Sequence, residues 1–409
     1  MKIVVVGGGS GGHITPALAV VREVLEKKPR TRVEFWTDRK YYKNVVKNTT
    51  EIGVNWGNEE SKKKEYIRVR KVIAGKFRRY AGWKIKDYFK YFDVTVKDLI
   101  IGNFFGFLGF LGGILQSFLR LVGRKERPDV IFLKGGFVGL PVGIVAKILR
   151  IPYVIHESDM VPGLANRILM KKARVVAMGM PFEQKEGREK WEWVGIPVGE
   201  EFKPVSMSKE KSLKRSFGFD MDKDLVVITG GSQGSLNLDE ATRRILPELL
   251  KKSSVALVAG RKHYESMIDL KKYEDWDRAE LKSNFRMWEF NSAMFDLLGA
   301  ADVVVSRAGA TTIAELANLK KAVILVPFAR LPGGHQVKNA ETLEREDAVL
   351  VVNDEEMQKD PNILLKAIQK LLKDTEKREE LAQKLHGEAK PEAAGRLAEI
   401  LLEVGGAQK

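Results

Sequence analysis

Short runs of β-branched and other apolar residues recur along the first half of the chain, and each is followed by a longer segment of mixed polarity. Apolar runs without alternation are typical of strands that are buried on both faces, as in a parallel sheet covered by helices. The pattern therefore predicts an α/β domain. The runs that we interpret as strands are residues 3–6, 32–36, 129–133, 152–155 and 175–178.

The second half of the chain repeats this pattern. A polar and charged stretch that ends near Lys223 separates the halves, so we place the domain boundary near residue 200. We predict a first domain at residues 1–199, a second at residues 200–386 and a C-terminal helix at residues 387–409. The strands predicted in the second half are residues 225–229, 255–258, 302–306 and 322–326.

The strand at residues 3–6 runs into the sequence Gly-Gly-Gly-Ser-Gly-Gly-His, residues 7–13. Pro16 and the apolar residues after it predict the first turn of a helix, since the fixed φ of proline suits that position. A glycine turn between a strand and a helix can direct backbone N–H groups and the positive helix end at a phosphate. In this chain the turn also places His13 beside that position. A tight turn with a structural role only is the alternative. Similar turns follow the strands at residues 129–133 and 225–229.

Residues 99–119 carry no charge, and their length is close to that needed to cross a bilayer. The segment can span a membrane, lie on its surface or form a buried helix. A single crossing is impossible if the strands on either side of the segment belong to one sheet. Basic residues follow within residues 120–127, and an apolar face flanked by Lys and Arg is typical of binding at a membrane surface. We therefore favour surface contact.

The chain of 409 residues has a formal net charge of +16 and no cysteine. The charge suggests a polyanionic partner, which is nucleic acid, an anionic membrane or a phosphorylated substrate. A basic motif with interleaved aromatic residues, which would favour nucleic acid, is not found in the sequence. The lack of cysteine excludes disulfides, thiol catalysis and zinc sites with thiolate ligands. The chain opens on a core strand rather than on the pattern of a signal peptide.

Polar residues follow several predicted strands, at the edge of an open α/β sheet where ligands bind. In the first half they are residues 156–159, although His156 can equally be a buried histidine bonded to the backbone. In the second half, Glu315 is predicted in the first turn of a helix, where it can accept both hydroxyls of a ribose or compensate the helix charge. His335 and Gln336 follow two glycines and suit sugar hydroxyls.

Residues 230–234 also match the Gly-x-Ser-x-Gly pattern of a hydrolase nucleophile elbow. That interpretation needs an acid and a histidine later in the same sheet. His335 is available, but the first domain would then have no explained role. The sequence contains no Walker lysine motif and no Asp-x-Asp pair of the kind that holds a metal at a nucleotide-sugar diphosphate. We therefore interpret the turn as a diphosphate site, with Ser232 and the N–H groups after it as the contacts.

Six motifs occur in an order that resembles the MurG family of glycosyltransferases. Each motif alone is weak, but six in this order over nearly the whole chain are specific. The resemblance implies a GT-B fold, in which two Rossmann-like β/α domains face a central cleft and the C-terminal helix crosses back to the N-terminal domain. The acceptor domain comes first and the donor domain second. The motifs are residues 7–13, residues 135–141, His156-Glu157, residues 230–234, residues 307–310 with Glu315, and His335-Gln336 with Asn339-Ala340.

The resemblance also implies an activity. It is inverting transfer of N-acetylglucosamine from UDP-N-acetylglucosamine to undecaprenyl-pyrophosphoryl-N-acetylmuramoyl pentapeptide, the step from lipid I to lipid II in peptidoglycan synthesis, on which cell shape and division depend. The family uses no cofactor and no catalytic metal. Its partners are the two substrates and the inner face of the cell membrane, to which it binds peripherally from the cytoplasm, and nucleic acid is not among them.

By the same resemblance, His13 is the candidate base for the acceptor hydroxyl and Glu315 binds the ribose, and these two are the catalytic candidates. The candidate donor-binding residues are Ser10, Gly11, Gly12, Ser232, Gln233, Gly234, Asn291, Ala310, Thr311, Thr312, Glu315, His335 and Gln336. The candidate acceptor-binding residues are Gly135, Gly136, Phe137, His156, Glu157 and Asp159.

The chain departs from the family pattern on the acceptor side. Phe137 stands in place of the usual Tyr, and residues 158–159 are Ser-Asp in place of Gln-Asn. Gly199 stands in place of an Arg that contacts phosphate, and Lys203 is a candidate substitute. Two alternatives therefore stay open. One is a GT-B transferase with a UDP-sugar donor and another lipid acceptor, and the other is a UDP-N-acetylglucosamine 2-epimerase of similar fold.

Overall fold

The computed structural model describes residues 1–54, 67–77, 95–123, 127–182, 186–231, 234–260, 263–265, 283–329 and 334–407. The chain forms two compact units, which are Met1–Gly199 together with Lys390–Lys409, and Glu200–Ala389. Each unit is built around one β-sheet. The chain thus leaves the first unit once and returns to it with its last segment.

Within the described residues, the first sheet has seven strands, and neighbouring strands are parallel. In chain order they are β1 (Lys2–Val6), β2 (Arg32–Thr37), β3 (Ile67–Lys71), β4 (Val130–Leu133), β5 (Tyr153–Glu157), β6 (Val175–Met178) and β7 (Trp191–Trp193). Their order in the sheet is β3-β2-β1-β4-β5-β6-β7. The direction of winding reverses between β1 and β4, so ligands are expected at the carboxyl ends of these two strands.

The second sheet repeats this winding with six parallel strands in the part of the chain that the structure describes. They are β8 (Leu225–Thr229), β9 (Ser254–Val258), β10 (Phe285–Trp288), β11 (Val303–Ser306), β12 (Ala322–Leu325) and β13 (Leu350–Val351). Their order is β10-β9-β8-β11-β12-β13, so the reversal falls between β8 and β11. Turns that contain glycines of positive φ follow β1, β4 and β8, whereas β11 is followed by Arg307, Ala308 and Gly309.

Helices cover both faces of each sheet. In β1, Ile3 and Val5 point into one hydrophobic core, and Val4 and Val6 point into another. This confirms the predicted architecture of two Rossmann-like β/α domains. The helices are α1 (Gly11–Lys27), α2 (Tyr42–Val54), α3 (Thr95–Leu121), α4 (Gly139–Ile148), α5 (Leu164–Leu169), α6 (Met207–Ser216), α7 (Leu236–Leu250), α8 (Met294–Gly299), α9 (Ala310–Asn318), α10 (His335–Arg345), α11 (Asp354–Lys359), α12 (Asn362–Lys373), α13 (Thr375–Gly387) and α14 (Ala393–Gly406).

The last helix, α14, packs on the first unit. It lies against α1 and β4, and Leu397 and Leu401 are buried in the same core as Val20. Arg396 forms a bidentate ion pair with Glu192, with Nε 2.6 Å from Oε1 and Nη2 3.1 Å from Oε2. The expected return of the C-terminal helix to the N-terminal domain is therefore confirmed.

Helix α1 begins earlier than the sequence predicted. Ser10 is its N-cap and Gly11 is its first helical residue, so Pro16 lies inside the helix and not in its first turn. Gly9, with a φ of 84°, turns the chain into the helix before the proline is reached. Pro16 therefore only removes the hydrogen bond that its N–H would have made one turn back. As a consequence, His13 belongs to the first helical turn rather than to the loop.

Helix α3, which contains the uncharged segment, packs through glycines on residues 72–77, which directly follow β3. A Cβ added at Gly106 would lie 3.0 Å from the carbonyl oxygen of Lys76, and one at Gly113 would overlap the carbonyl oxygen of Ile73. The two backbones are therefore in direct contact. The other side of the helix exposes large apolar side chains, which are Ile101, Phe104, Phe105, Phe107, Leu108, Leu111, Leu115, Phe118 and Leu119.

Within the described parts of the chain, α3 is the one helix that is long and apolar enough to cross a membrane, over Ile101–Leu121. Only 22% of its most apolar window is buried, so the interpretation as a buried core helix is wrong. The strands β1 and β4, which precede and follow α3 in the chain, pair with each other in one sheet. A crossing by α3 would separate these paired strands, which argues against the spanning alternative.

Candidate active site

The glycine turn after β1 is held from the neighbouring strand β2. The N–H of Gly7 donates to the carbonyl of Trp36 (3.2 Å), and the N–H of Gly9 donates to Oδ2 of Asp38 (2.6 Å). A Cβ added at Gly8 would lie 2.7 Å from the same carboxylate oxygen. Sequence reasoning missed Asp38, although an acid after the second strand of such a unit often binds ribose hydroxyls. Here the carboxylate binds the turn itself.

The N-terminus of α1 is suited to an anion. The side chain of Ser10 makes no capping hydrogen bond, and the first turn contains no acidic residue. A Cβ added at Gly11 would meet no heavy atom of the described residues within 4 Å. The first N–H groups of a helix lack an intrahelical partner, and its positive end favours a phosphate. The turn therefore suits an anion, and the assignment of Ser10, Gly11 and Gly12 to a phosphate stays a prediction.

The imidazole of His13 lies between the two glycine turns of the first unit. A Cβ added at Gly136 would lie 3.2 Å from Nε2, so the ring lies against the turn after β4. Nδ1 is buried and has no hydrogen-bond partner among the described residues. Burial lowers the pKa of His13 to about 4, with the charge of Lys134 acting in the same direction. The ring is therefore neutral at pH 7, which is the form that accepts a proton.

The turn after β4 approaches the first turn closely. Gly135 and Gly136 have φ values of 98° and 76°, in the left-handed region that favours glycine. A Cβ added at Gly9 would lie 2.8 Å from Cε1 of Phe137, so the Phe137 ring rests on the first turn. The structure thus brings Phe137, Gly136 and His13 together, because the carboxyl ends of β1 and β4 are adjacent.

His156, by contrast, is enclosed in the sheet. Its side chain is fully buried, and Nε2 lies 2.8 Å from the carbonyl oxygen of Gly195. Burial and the charge of Lys134 hold the pKa of His156 well below its usual range. This geometry favours the structural interpretation of His156 over direct contact with an acceptor.

Glu157 organises the loop that follows β5. Its carboxylate accepts from the N–H of Asp159 (3.1 Å), the N–H of Gly163 (2.9 Å) and Nδ2 of Asn166 (2.9 Å). Burial raises the pKa of Glu157, and the carboxylate of Asp159 acts in the same direction. Glu157 therefore shapes the loop, and the half-exposed Asp159 is the residue of this motif that lies nearer to solvent.

In the second unit, the turn after β8 is also tightly folded. Ser232 and Gln233 lie outside the described residues. Gly231 and Gly234 both have a φ of 72°, and the N–H of Gly234 donates to the carbonyl of Gly231 (3.0 Å). The turn leads into α7, whose N-cap Ser235 accepts from the N–H of Leu238. A tight turn that opens a helix fits the expected diphosphate site.

Arg307, directly after β11, ties this turn to two other parts of the second unit. Its Nε donates to Oγ of Ser235 (2.9 Å), and its Nη1 donates to the carbonyl of Val326 (2.9 Å) and to Oδ1 of Asp354 (2.6 Å). Its guanidinium also lies over the ring of Phe328. The sequence analysis includes Arg307 in a motif without a role for its side chain. Its contacts show that it connects the loops after β8, β11 and β12.

Glu315 is placed differently from the prediction. Helix α9 begins at Ala310, so Glu315 is its sixth residue and the first turn holds no acid. The interpretation as compensation of the helix charge is therefore wrong. Burial raises the pKa of Glu315 to about 8, and the carboxylate of Glu201 acts in the same direction. Thr311 and Thr312 are half-buried residues of the first turn.

Helix α10 brings its polar residues to the same edge of the sheet. Oε1 of Gln336 accepts from the N–H of Phe328 (2.9 Å), and Nδ2 of Asn339 donates to the carbonyl of Ala308 (3.2 Å). Nδ1 of His335 is buried without a hydrogen-bond partner among the described residues. These contacts attach the start of α10 to the loops after β11 and β12.

Asn291 lies in the loop after β10, at the outer edge of the second sheet. Its Oδ1 accepts from the N–H of Ala293 (2.9 Å), which shapes the loop before α8. The side chain is therefore used within the loop.

Comparison with known proteins identifies both halves of the chain. Residues 3–178 match the glycosyltransferase family 28 N-terminal domain, and residues 225–397 match the glycosyltransferase family 28 C-terminal domain. A protein of Bacillus cereus, named UDP-N-acetylglucosamine–N-acetylmuramyl-(pentapeptide) pyrophosphoryl-undecaprenol N-acetylglucosamine transferase 2, is 32% identical over 390 residues. The match covers 94% of this chain and 96% of the relative.

A protein of Clostridium perfringens with the same transferase name is 36% identical over 382 residues, covering 92% of this chain and 91% of the relative. Among solved structures, that of Acinetobacter baumannii MurG superposes with a TM-score of 0.67 at 21% identity. It covers 98% of this chain and 99% of that one. The structural match supports the GT-B fold, and the sequence matches confirm the expected family.

Proposed function

Because this chain belongs to glycosyltransferase family 28, we propose that it transfers N-acetylglucosamine from UDP-N-acetylglucosamine to undecaprenyl-pyrophosphoryl-N-acetylmuramoyl pentapeptide. The product is lipid II, and the reaction serves peptidoglycan synthesis, cell shape and division. The names of the Bacillus and Clostridium relatives support both substrates. The observation that carries the proposal is the neutral imidazole of His13, with an unpartnered Nδ1, between two glycine turns at the reversal point of the first sheet.

In the second unit, we assign the donor to the edge that Arg307 and Gln336 hold together. The turn at residues 230–234 and the N-terminus of α7 take the diphosphate, and Glu315 takes the ribose hydroxyls. Ala310, Thr311, Thr312, His335 and Gln336 line the sugar side, and the backbone near Asn291 takes the uracil. Donor binding thus uses the Glu315 carboxyl for the ribose, and helix N-termini and polar groups elsewhere, which can stabilise a leaving diphosphate without a metal.

The transfer inverts the anomeric carbon in one displacement. The acceptor hydroxyl attacks that carbon and its proton moves to His13, while the bond from carbon to the diphosphate oxygen breaks and UDP leaves with the electron pair. Ser10, Gly11 and Gly12 provide N–H groups at the positive end of α1 for phosphate oxygens. No cofactor takes part in this scheme. Residues Gly135, Gly136, Phe137 and Asp159 lie on the acceptor side, and His156 and Glu157 support them from beneath.

The exposed face of α3 is the proposed contact with the inner face of the cell membrane, peripheral and from the cytoplasm. Phe105 and Leu119 are 65% and 67% exposed, which is unusual for large apolar side chains. The glycine side of the helix packs on the protein, so the apolar side is available to contact lipid. Arg120, at the C-terminal end of α3, donates to the carbonyl of Lys71 (2.9 Å). Basic residues at the end of an apolar helix strengthen its binding to anionic lipid.

Transfer is tested with radiolabelled UDP-N-acetylglucosamine, with and without a short-chain analogue of the lipid acceptor. Label that passes to the analogue only when it is present supports the proposal. Donor turnover without any acceptor would favour a 2-epimerase instead. Donor binding without transfer would favour a different lipid acceptor, with Phe137, Asp159 and Gly199 as the positions to examine.

His13→Ala and His13→Gln test the base, since neither side chain can take up the proton. We expect kcat to fall by a factor of about 10² to 10⁴ while UDP binding stays unchanged. Turnover at the wild-type rate in either variant would remove His13 from the mechanism.

Membrane contact is tested by flotation with vesicles that contain anionic lipid. Phe104→Ser with Phe105→Ser is expected to reduce the bound fraction severalfold, because each exchange removes exposed apolar area. The matched control is Met207→Ser, which removes an exposed apolar side chain from the second unit. Equal binding by the Phe variant and the control would contradict a role of α3.

A further inference from the structure

Asp354 is a buried carboxylate in the first turn of α11, and the roles proposed above do not use it. It is 4% exposed, and its ion pair with the buried Arg307 has 2.6 Å between Oδ1 and Nη1. The cost of taking two charges out of water offsets much of their attraction, so such a pair adds little to stability. A buried pair can instead fix one arrangement of the segments that it joins.

The start of α11 is itself held in place within the second unit. Its N-cap Asn353 accepts hydrogen bonds from two N–H groups of the first turn (2.9 and 3.1 Å). Met357 of α11 is 0% exposed and lies in the same hydrophobic core as Leu238 of α7. The helix that carries Asp354 therefore packs against α7.

Asp354 is connected to the N-terminal turn of α7 by two routes. In the first, its Oδ2 accepts directly from Nδ2 of Asn237, the second residue of α7 (3.0 Å). In the second, Arg307 links Asp354 to Ser235, the N-cap of α7, because Nε and Nη2 donate to its Oγ (2.9 and 2.5 Å). Gln358 also donates to Oδ2 of Asp354 (2.8 Å), so both carboxylate oxygens have partners.

The end of α7 that these bonds hold opens onto the turn at residues 230–234. Ser235 directly follows this turn, and a Cβ added at Gly230 would lie 2.4 Å from the backbone nitrogen of Ser235. N–H groups at a helix N-terminus stabilise an anion best when they are already aimed at its position before it binds. A displacement of about 1 Å is enough to weaken such an arrangement.

We propose that Asp354 is a positioning residue for the donor diphosphate: with Arg307, it holds the N-terminal turn of α7 where the N–H groups meet the diphosphate oxygens. The inference rests on the proposed assignment of the diphosphate to this turn. Asp354 acts through Asn237 and through Arg307 with Ser235, and does not touch a substrate. The charge of Arg307 balances that of Asp354, so the pair places no net negative charge beside the diphosphate.

The test compares Asp354→Asn with the matched control Asp302→Asn. Asp302 also pairs with a buried lysine, with its Oδ2 2.6 Å from Nζ of Lys214, and it accepts from the N–H of Leu225 (2.7 Å). These contacts lie at the amino ends of β8 and β11, the opposite edge of the same sheet. Binding of UDP is measured by titration calorimetry, and kcat and KM are measured for UDP-N-acetylglucosamine and for the acceptor analogue.

We expect Asp354→Asn to raise the Kd of UDP about tenfold and to lower kcat/KM for the donor by a factor of about 10 to 100, with the KM of the acceptor analogue within about twofold of wild type. Asp302→Asn should lower the Tm and leave UDP binding unchanged. Removal of a negative charge near an anion would by itself strengthen binding. Weaker binding of UDP therefore reports the displaced end of α7.

The outcomes separate this inference from the proposed function. If wild type binds UDP and folded Asp354→Asn binds it as tightly or more tightly, the inference is overturned and the proposed donor site stands. An equal loss of affinity in Asp302→Asn also overturns the inference, because the effect would then be one of stability. Wild type that binds no UDP refutes the proposed donor site, and the inference with it.

If Asp354→Asn does not fold, Asn237→Ala decides the question. This exchange removes the direct route to α7 and leaves the ion pair between Asp354 and Arg307 intact. A smaller loss of UDP affinity in Asn237→Ala supports the inference, and unchanged affinity overturns it.

Discussion

Asp239 is a buried carboxyl group in α7, and replacing it by Asn tests what its burial costs. The side chain is 0% exposed, and neither carboxylate oxygen has a hydrogen-bond partner among the described residues. Burial raises the pKa of Asp239 from 3.8 to about 8, while the charge of Arg307 opposes this and that of Glu240 adds to it. The folded protein therefore holds a proton here that the unfolded chain releases.

The sign of the effect follows from this difference. Below about pH 4 both states are protonated, and the folded state has its full stability. Between about pH 4 and about pH 8 only the unfolded state gives up its proton, so stability falls as pH rises. A shift of about four units corresponds to an upper limit of about 5 kcal/mol, and relaxation around buried charges reduces this, so we expect about 2 kcal/mol at pH 8.

Asp239→Asn keeps the shape and removes the titration. We expect the variant to be more stable than wild type at pH 8, with a Tm about 4 to 8 °C higher for a unit of this size, and the difference to fade towards pH 4. Calorimetric unfolding across this range measures it. The matched control is Glu248→Gln, since Glu248 is an exposed carboxylate of the same helix that pairs with Lys251. A difference between Asp239→Asn and wild type that does not change with pH would refute the reasoning.

Three further changes test the site and its support. Asp38→Ala removes the acceptor for the N–H of Gly9, and we expect kcat to fall about tenfold with little change in the KM for UDP-N-acetylglucosamine. Glu315→Gln should abolish proton release on UDP binding, measured by titration calorimetry in buffers of different ionisation enthalpy, because ribose hydroxyls favour the ionised form of a carboxyl whose pKa is about 8. Gly113→Ala should destabilise the first unit where Gly112→Ala does not, as thermal unfolding would show.

The fold and the turns could be predicted because their signals are local. The apolar run at residues 3–6 and the glycines after it lie next to each other in the chain, and backbone sterics decide what they form. The same holds for the turns after β4 and β8. The positions of His13 and of residues 230–234 at the reversal points then follow from the winding of the sheets.

Element boundaries were less predictable, and for a physical reason. Pro16 is a favourable first-turn residue, but Gly9 allows the chain to enter the helix five residues before Pro16, so α1 starts at Gly11. The sequence predicts Glu315 in the first turn of its helix. Because α9 begins at Ala310, Glu315 lies in the second turn. Several residues within one turn can each begin a helix, and tertiary contacts determine which of them does.

The contacts of the buried and half-buried charged side chains could not be predicted from the sequence at all. Asp354, Asp38 and Arg307 are ordinary in composition, and their importance comes from the backbone groups and side chains that distant segments bring to them. Asp38 meets Gly9 from 29 residues away, and Arg307 meets Ser235 from 72 residues away. A sequence pattern records the spacing along one element, whereas these contacts depend on which strands become neighbours.

The glycines of α3 show how the structure resolves what its apolar composition left open. A methyl group at position 113 would overlap the carbonyl oxygen of Ile73, whereas one at position 112 would meet only Cγ2 of Ile73 at 3.6 Å, an ordinary contact. Both exchanges gain the same helix propensity, about 1 kcal/mol. We therefore expect Gly112→Ala to leave the free energy of unfolding unchanged or to raise it. We expect Gly113→Ala to lower the free energy of unfolding by about 1 to 3 kcal/mol and to weaken vesicle binding, because the added methyl group displaces the helix from residues 72–77. An α3 that acts as an independent membrane anchor would tolerate both exchanges alike, and that result would refute the packing described here.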